Sequence, residues 1–551
     1  MDFTEKNYYI RNNYTMGTYL HFDDKITIDV ADEQIIALLD DEIYSKGTGQ
    51  CILSVTQKDL GNDSYTLDIK PSKEIIVTYS TYRSLRYAVS ALNNMVVKTD
   101  SELLLPICNI SDKASFKYRG IIEGYYGAPW TTANRLDMVD FMDENRLNIY
   151  MYAPKDDDYH RKNWYKLYKE NKVVEFKELI DKMDSKGIDF CYCISPGYHK
   201  ADEIGFDYTT NKDFKRLFKK LDQLIALGVH SFGLLLDDID YKLKGDNLEK
   251  YKRPGVAHAH ICNKVYDYLK ENVEDLYYVM CPTEYHQVGE TEYRTDLKEN
   301  LEEGIEVFWT GTRVCAEVIT ERQASLTRDA FGRSLTLWEN FPVTDFAHGS
   351  RQFMAPLENR CTNLCEYITG FIINPMEFYE ISKVSMITEA HYAWNSQKYN
   401  PEMSFEIALS SYGEDFYMAI EDYIIFNYNN VLNYGNREYE NMLFNTMDKE
   451  AIKDYYAKTL KSANSTLKLD LPIVKELKPW LKRVKKEKKV VNMILDGEAC
   501  KEDILSLYKD KHISGSELCD LLAKPYLSDT EYKTIVMKKR GGSWYRVWEK
   551  R

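Results

Sequence analysis

Apolar positions change period twice along the chain. From residue 1 to about 115, short runs at 26–30, 51–55, 65–69 and 74–79 alternate apolar and polar positions, the period-2 signature of half-buried strands. Ser84, Leu85, Tyr87, Ala88, Ala91, Leu92 and Met95 then recur at helical spacing, so this stretch reads as a small α+β domain. From 116 to 376 the pattern becomes apolar run, polar loop, amphipathic helix, repeated. The runs fall at 118–122, 147–152, 188–194, 231–236, 276–280, 305–309, 335–338 and 370–373. Between them Phe214, Leu217, Phe218, Leu221, Leu224 and Ile225 mark the clearest one-sided helix. Eight such units predict an α/β fold with a (β/α)₈ TIM barrel as its catalytic domain. Pro375 suits a first helical position, and Phe378, Ile381, Val384, Ser385, Ile387 and Thr388 line one helical face beyond it. Residues 377–551 therefore read as a C-terminal helical region.

Composition narrows the class of function. The chain of 551 residues carries 72 Lys plus Arg against 87 Asp plus Glu, a net charge of −15, which excludes an electrostatic footprint for nucleic acid or an anionic membrane. Its one basic cluster, 482–489, has the form of a solvated helix face. Residues 1–6 lack the apolar core of a signal peptide and no apolar run reaches membrane-spanning length, so a cytoplasmic location is expected. The 11 Cys give two close pairs, Cys191 with Cys193 and Cys361 with Cys365, and neither has the second pair that a zinc site needs. His258 and His260 are two apart on an expected helix and face different ways. Neither a metal nor a cofactor is expected.

In a barrel enzyme the working residues gather past the C-terminal ends of the strands. The first run is followed by Glu123-Gly124-Tyr125-Tyr126-Gly127 and the second by Ala153-Pro154-Lys155. The fourth ends in Asp237-Asp238, the fifth in Cys281-Pro282-Thr283-Glu284-Tyr285, the seventh in Trp338, Asn340 and Asp345, and the eighth in Asn374-Pro375. Carboxylates, amides, a lysine and indoles at one mouth suit a pyranose, whose hydroxyls need acceptors and whose C–H faces need flat apolar partners. Adjacent aspartates repel, so one of Asp237 and Asp238 should titrate high and hold a proton for a leaving group. Each residue also has a plain alternative: helix N-cap for an Asp, turn residue for Gly124, solvated charge for Lys155, helix cap for Asn374.

The strings RGIIEGYYGAPW, NIYMYAPKDDDYHR, LLLDDID, CPTEY, VFWTG and INPMEF, in that order, resemble glycoside hydrolase family 84, the protein O-GlcNAcase and bacterial hyaluronidase-like family. The resemblance covers roughly 117–376 and, more faintly, the flanking domains. It implies a retaining exo-β-N-acetylglucosaminidase acting on a GlcNAc-bearing glycan or glycoprotein, in which the substrate's acetamide is the nucleophile. By this carry-over Asp237 orients the acetamide and Asp238 is general acid, then general base. Tyr285 and Asn340 would hold the acetamide and the acid. Gly124, Lys155, Asp345 and Asn374 would bind ring hydroxyls, and Trp338 would wall the acetamide pocket. Hyaluronan degradation, the family's other label, fits poorly with a net charge of −15, because that polymer is a polyanion. A non-catalytic sugar-binding protein would have no use for a strained aspartate pair.

Overall fold

The structure, a computed structural model, describes residues 18–30, 32–197, 205–428, 430–433 and 438–541. Residues 1–6 and the last ten residues of the helical region therefore lie outside the described residues. Eight parallel strands close a barrel: Tyr118–Ile122, Ile149–Tyr152, Asp189–Ile194, Ser231–Leu235, Tyr277–Cys281, Glu306–Trp309, Leu335–Pro342 and Ile368–Asn374. Buried on both faces, such strands read as continuous apolar runs, which is why the pattern located all eight. Ile122, Met151, Cys193, Val279, Phe308 and Ile372 fill the interior, and outward-facing side chains pack beneath the surrounding helices. The helix Asn211–Ile225 buries Phe214, Leu217, Leu221 and Leu224, the face its spacing predicted.

The N-terminal region holds a mixed six-stranded sheet and a three-stranded one. The four strands expected from alternation are present, and the helix Tyr82–Met95 buries the whole expected stripe. Strands such as Tyr44–Lys46 and Val97–Lys98 were not expected; two or three residues are too few to show a period.

Buried ions fasten this region to the barrel. Asp63 accepts from Arg119 Nη2 at 2.7 Å and Asn148 Nδ2 at 3.1 Å, both from the barrel, and from Thr81 Oγ1 at 2.8 Å. Arg119 is fully buried. Asp63→Ala, which leaves that guanidinium unpaired, is expected to cost about 3–5 kcal/mol in urea unfolding. Burial alone would raise the Asp63 pKa, but the Arg119 and Arg83 charges outweigh it and hold the carboxyl far below its usual range. A depressed folded pKa means stability that is fully present above the unfolded value of ~4 and is lost as pH falls through the folded one. The gap between wild type and Asp63→Asn should therefore narrow in acid. A gap that widened there would contradict this pairing.

Beyond the barrel the chain is mainly helical to the end of the described residues. The first of these helices is Tyr379–Trp394, not a helix from Pro375. Met376 is buried, and its N–H donates to Ser382 Oγ at 3.1 Å, so residues 375–378 form a pinned link rather than a first turn. This helix is also buried nearly all round rather than on one face, because it lies between the barrel and the helices Pro401–Ser410 and Pro472–Asp496. In the latter, Lys482, Lys485, Lys486 and Lys489 are exposed while Arg483 and Glu487 pair inside at 2.7 Å. The basic cluster is thus a solvated helix face. Among the described residues no helix is long and apolar enough to cross a membrane.

Candidate active site

A cavity of about 460 Å³ opens at the C-terminal mouth of the barrel, within the roughly 300–1,000 Å³ typical of small-ligand sites. Gly124, Lys155, Asp237, Asp238, Tyr285, Trp338, Asn340, Asp345 and Asn374 all line it. The sequence-predicted residues, drawn from six strand ends, are brought together without exception.

Its floor is stiff. Glu123, fully buried, accepts from Arg135 Nε and Nη2 at 2.8 and 2.7 Å, from the Trp130 N–H at 3.0 Å and from the Tyr150 hydroxyl, which fixes the turn after the first strand. A Cβ on Gly124 would lie 2.4 Å from Trp338 Cζ2, so the close approach of the indole requires glycine there. Val314 O accepts from Asn340 Nδ2 at 2.8 Å, Asn340 Oδ1 from Asn374 Nδ2 at 2.8 Å, and Asn374 Oδ1 from the Gly124 N–H at 3.2 Å. This chain of amides ties strands one, seven and eight across the mouth.

The electrostatic centre is the aspartate pair with its cations. Lys155 Nζ donates to Asp237 Oδ2 at 2.7 Å and to Asp238 Oδ2 at 3.1 Å. Burial would lower the lysine's pKa, but the two carboxylates outweigh burial and raise it, so it stays an ammonium. Asp237 Oδ1 is buried and finds no hydrogen-bond partner among the described residues, and neither does Trp338 Nε1. Both therefore belong to a polar lining that the described residues leave unsatisfied.

Two contacts on Asp238 were not foreseen. Its Oδ2 also accepts from the Tyr126 hydroxyl at 2.7 Å and from Arg161 Nη2 at 3.1 Å. The repulsion expected to make one aspartate titrate high is consequently overcome at Asp238: burial raises its pKa, yet Lys155, Tyr126 and Arg161 pull it below the usual carboxylate value. Tyr126 is pushed up to about 12, chiefly by burial, so its hydroxyl remains a donor. Tyr126 stands just past the first strand and Arg161 six residues beyond Lys155, but neither residue type at its place announces a bond to a distant aspartate. Arg161, in the charged run from Lys155, is buried in the structure. Asp345, across the mouth, accepts the Tyr126 backbone N–H at 2.9 Å, and burial raises its pKa.

His258, one of the two histidines weighed as metal ligands, is buried. His258 Nδ1 lies 2.8 Å from the Tyr293 hydroxyl in the core. All 11 cysteines are free thiols.

The family model for beta-N-acetylglucosaminidase matches residues 119–424, more than half of the 551 residues. The chain belongs to this family. The protein O-GlcNAcases of Rattus norvegicus and Mus musculus are each 32% identical to this beta-N-acetylglucosaminidase family member over 277 residues, 49% of its chain and 29% of theirs. It thus spans under a third of the length of these curated relatives. Among solved structures, a mutant O-GlcNAc hydrolase of Thermobaculum terrenum superposes with a TM-score of 0.68 at 29% identity, covering 78% of this chain and 98% of the other. CpGH84B superposes with a TM-score of 0.80 at 23% identity, covering 94% and 98%, and shows the shared fold.

Proposed function

We propose that this chain is a retaining exo-β-N-acetylglucosaminidase that removes terminal β-linked GlcNAc from a glycan or glycoprotein by substrate-assisted catalysis. The carrying observation is Asp237. One of its oxygens is held by Lys155, and the other is a buried acceptor without a partner among the described residues, in the cavity that Trp338 also lines, as an acetamide N–H requires. Accepting that N–H raises the electron density of the amide and aims its oxygen at the anomeric carbon. The C1–O bond to the aglycone then breaks as the acetamide oxygen bonds to C1, giving an oxazolinium ion whose positive charge Asp237 opposes.

Asp238 supplies the leaving oxygen with its proton and afterwards takes one from the water that opens the oxazoline. Two inversions at C1 return the β-anomer. Because no enzyme carboxylate attacks C1, the spacing rules for ordinary retaining glycosidases do not apply. Asp238 is half-buried and is held as a carboxylate before substrate arrives. A sugar and aglycone laid against it exclude water, which acts in the raising direction and favours the acid form that the first step needs.

The test is hydrolysis of 4-nitrophenyl β-GlcNAc with the product anomer followed by NMR, together with inhibition by a GlcNAc-fused thiazoline. First-formed β-GlcNAc and thiazoline binding at least ~10²-fold tighter than GlcNAc are expected, since the thiazoline resembles the activated species. First-formed α-GlcNAc, or thiazoline no tighter than GlcNAc, would reject the mechanism.

A further inference from the structure

Three donors meet on a single oxygen of Asp238. Tyr126, Lys155 and Arg161 all bond Oδ2, at 2.7, 3.1 and 3.1 Å, while Oδ1 receives no hydrogen bond from the described residues. Lys155 is shared with Asp237, and Tyr126 is an exposed rim residue. Arg161 differs from both. It is buried, its guanidinium carbon lies 5.5 Å from the centre of the Tyr126 ring, and its loop is anchored below by the neighbouring His160. Burial holds the pKa of that histidine at about 3, so the ring is neutral, and Nδ1 donates to Cys193 O at 2.7 Å; Ser195 N–H in turn donates to His160 O at 3.0 Å. Arg161 is thus tied to the third strand and spans both the aspartate and the tyrosine.

We infer that Arg161 is a positioning residue that selects which oxygen of Asp238 carries the transferable proton. This rests on the assignment of Asp238 as the acid and base. Three donors, two of them cations, crowd an oxygen with about two acceptor sites and oppose a proton there, so in the acid form the proton resides on Oδ1, and the Arg161 charge strengthens that preference. The carboxyl then cannot spread its proton over two oxygens or two orientations. Proton transfer starts from one geometry, as general acid catalysis requires. After transfer the same three donors stabilise the carboxylate until it acts as base.

The experiment compares wild type, Arg161→Gln and Arg161→Lys on methyl β-GlcNAc, a poor leaving group, and on the 2,4-dinitrophenyl glycoside, a good one. Arg161→Gln should lose at least ~10-fold in kcat/KM on the methyl glycoside, part of the ~10²–10⁴-fold that a general acid supplies, and under ~3-fold on the activated one. Arg161→Lys, which keeps the charge, should recover part of the loss. A pH profile separates this from a packing defect. The ionisable groups facing Asp238 are Asp237, Lys155, Arg161 and Tyr126, with Tyr285 and Cys281 farther off. Only the Arg161 cation is lost in Arg161→Gln. Its loss makes the aspartate a weaker acid, so the high-pH limb of kcat/KM moves upward, whereas a packing defect leaves the limb in place.

Equal losses on both glycosides with an unmoved limb would overturn the role of Arg161. Asp238→Asn tells the two failures apart. If it too shows no leaving-group dependence, the assignment of Asp238 has fallen; if it does, the inference about Arg161 has fallen alone.

Discussion

Asp237→Ala is expected to reduce kcat/KM on every β-GlcNAc substrate by on the order of 10²–10³-fold, whatever the leaving group, the loss seen when one preorganised electrostatic partner of a charged transition state is removed. In the proposed mechanism the charge that Asp237 opposes develops on the substrate's own acetamide, whether the aglycone departs easily or not. Asp238→Asn should behave differently: ~10²–10⁴-fold on alkyl glycosides and far less on activated aryl ones, which need no proton to leave. The two adjacent carboxylates share Lys155 at 2.7 and 3.1 Å, so a general electrostatic disturbance would affect both variants alike. Steady-state kinetics over a series of aryl leaving groups separates them. A flat dependence on leaving-group acidity for Asp237→Ala and a steep one for Asp238→Asn is the expected pair. The reverse pattern would exchange their roles.

The order of elements and the membership of the site were legible in the sequence for one physical reason. A parallel barrel buries its strands on both faces, and the chain must turn polar where each strand leaves the core, so both the strand and the first residues beyond it are marked. Trp338, Asn340 and Asn374 were found in this way, although the strands that carry them run on to Pro342 and Asn374, past the ends expected at 338 and 373. What lies farther along a loop carries no such mark. Arg161 follows a run of three aspartates that reads as solvated, and its burial against Asp238 depends on how residues 155–161 fold back over the third strand. The rise expected for one of the two aspartates does not occur at Asp238 for the same reason, since two negative charges are adjacent in sequence but the cations facing Asp238 are not. The start of the helix after Pro375 was obscured by a tertiary contact, the bond from Met376 N–H to Ser382 Oγ, which overrides the local preference of proline for a first turn.

The last prediction concerns the sugar's 4-hydroxyl and rests on Asp345. The residue begins a 3₁₀ turn, Asp345–Ala347, just beyond the seventh strand, and the Tyr126 backbone N–H fixes its carboxyl at 2.9 Å, so its direction is set before any ligand arrives. Burial raises its pKa, the mark of an acceptor held in a poorly solvating place that gains from a hydroxyl partner. In the role proposed for Asp345 an equatorial 4-hydroxyl donates to it and the axial hydroxyl of the galacto epimer does not. Leaving such an acceptor unpaired costs more than ~1–3 kcal/mol, so kcat/KM should favour GlcNAc over GalNAc substrates by roughly tenfold or more. Asp345→Ala removes the acceptor and with it the penalty for the axial epimer. Its kcat/KM on GlcNAc should fall steeply while its kcat/KM on GalNAc falls little, so the ratio of the two closes towards one. Measuring both epimers in both proteins decides the matter, because a general loss of the pocket lowers the two constants together and leaves their ratio intact. A variant that retains the full gluco preference would show that another residue reads the 4-hydroxyl.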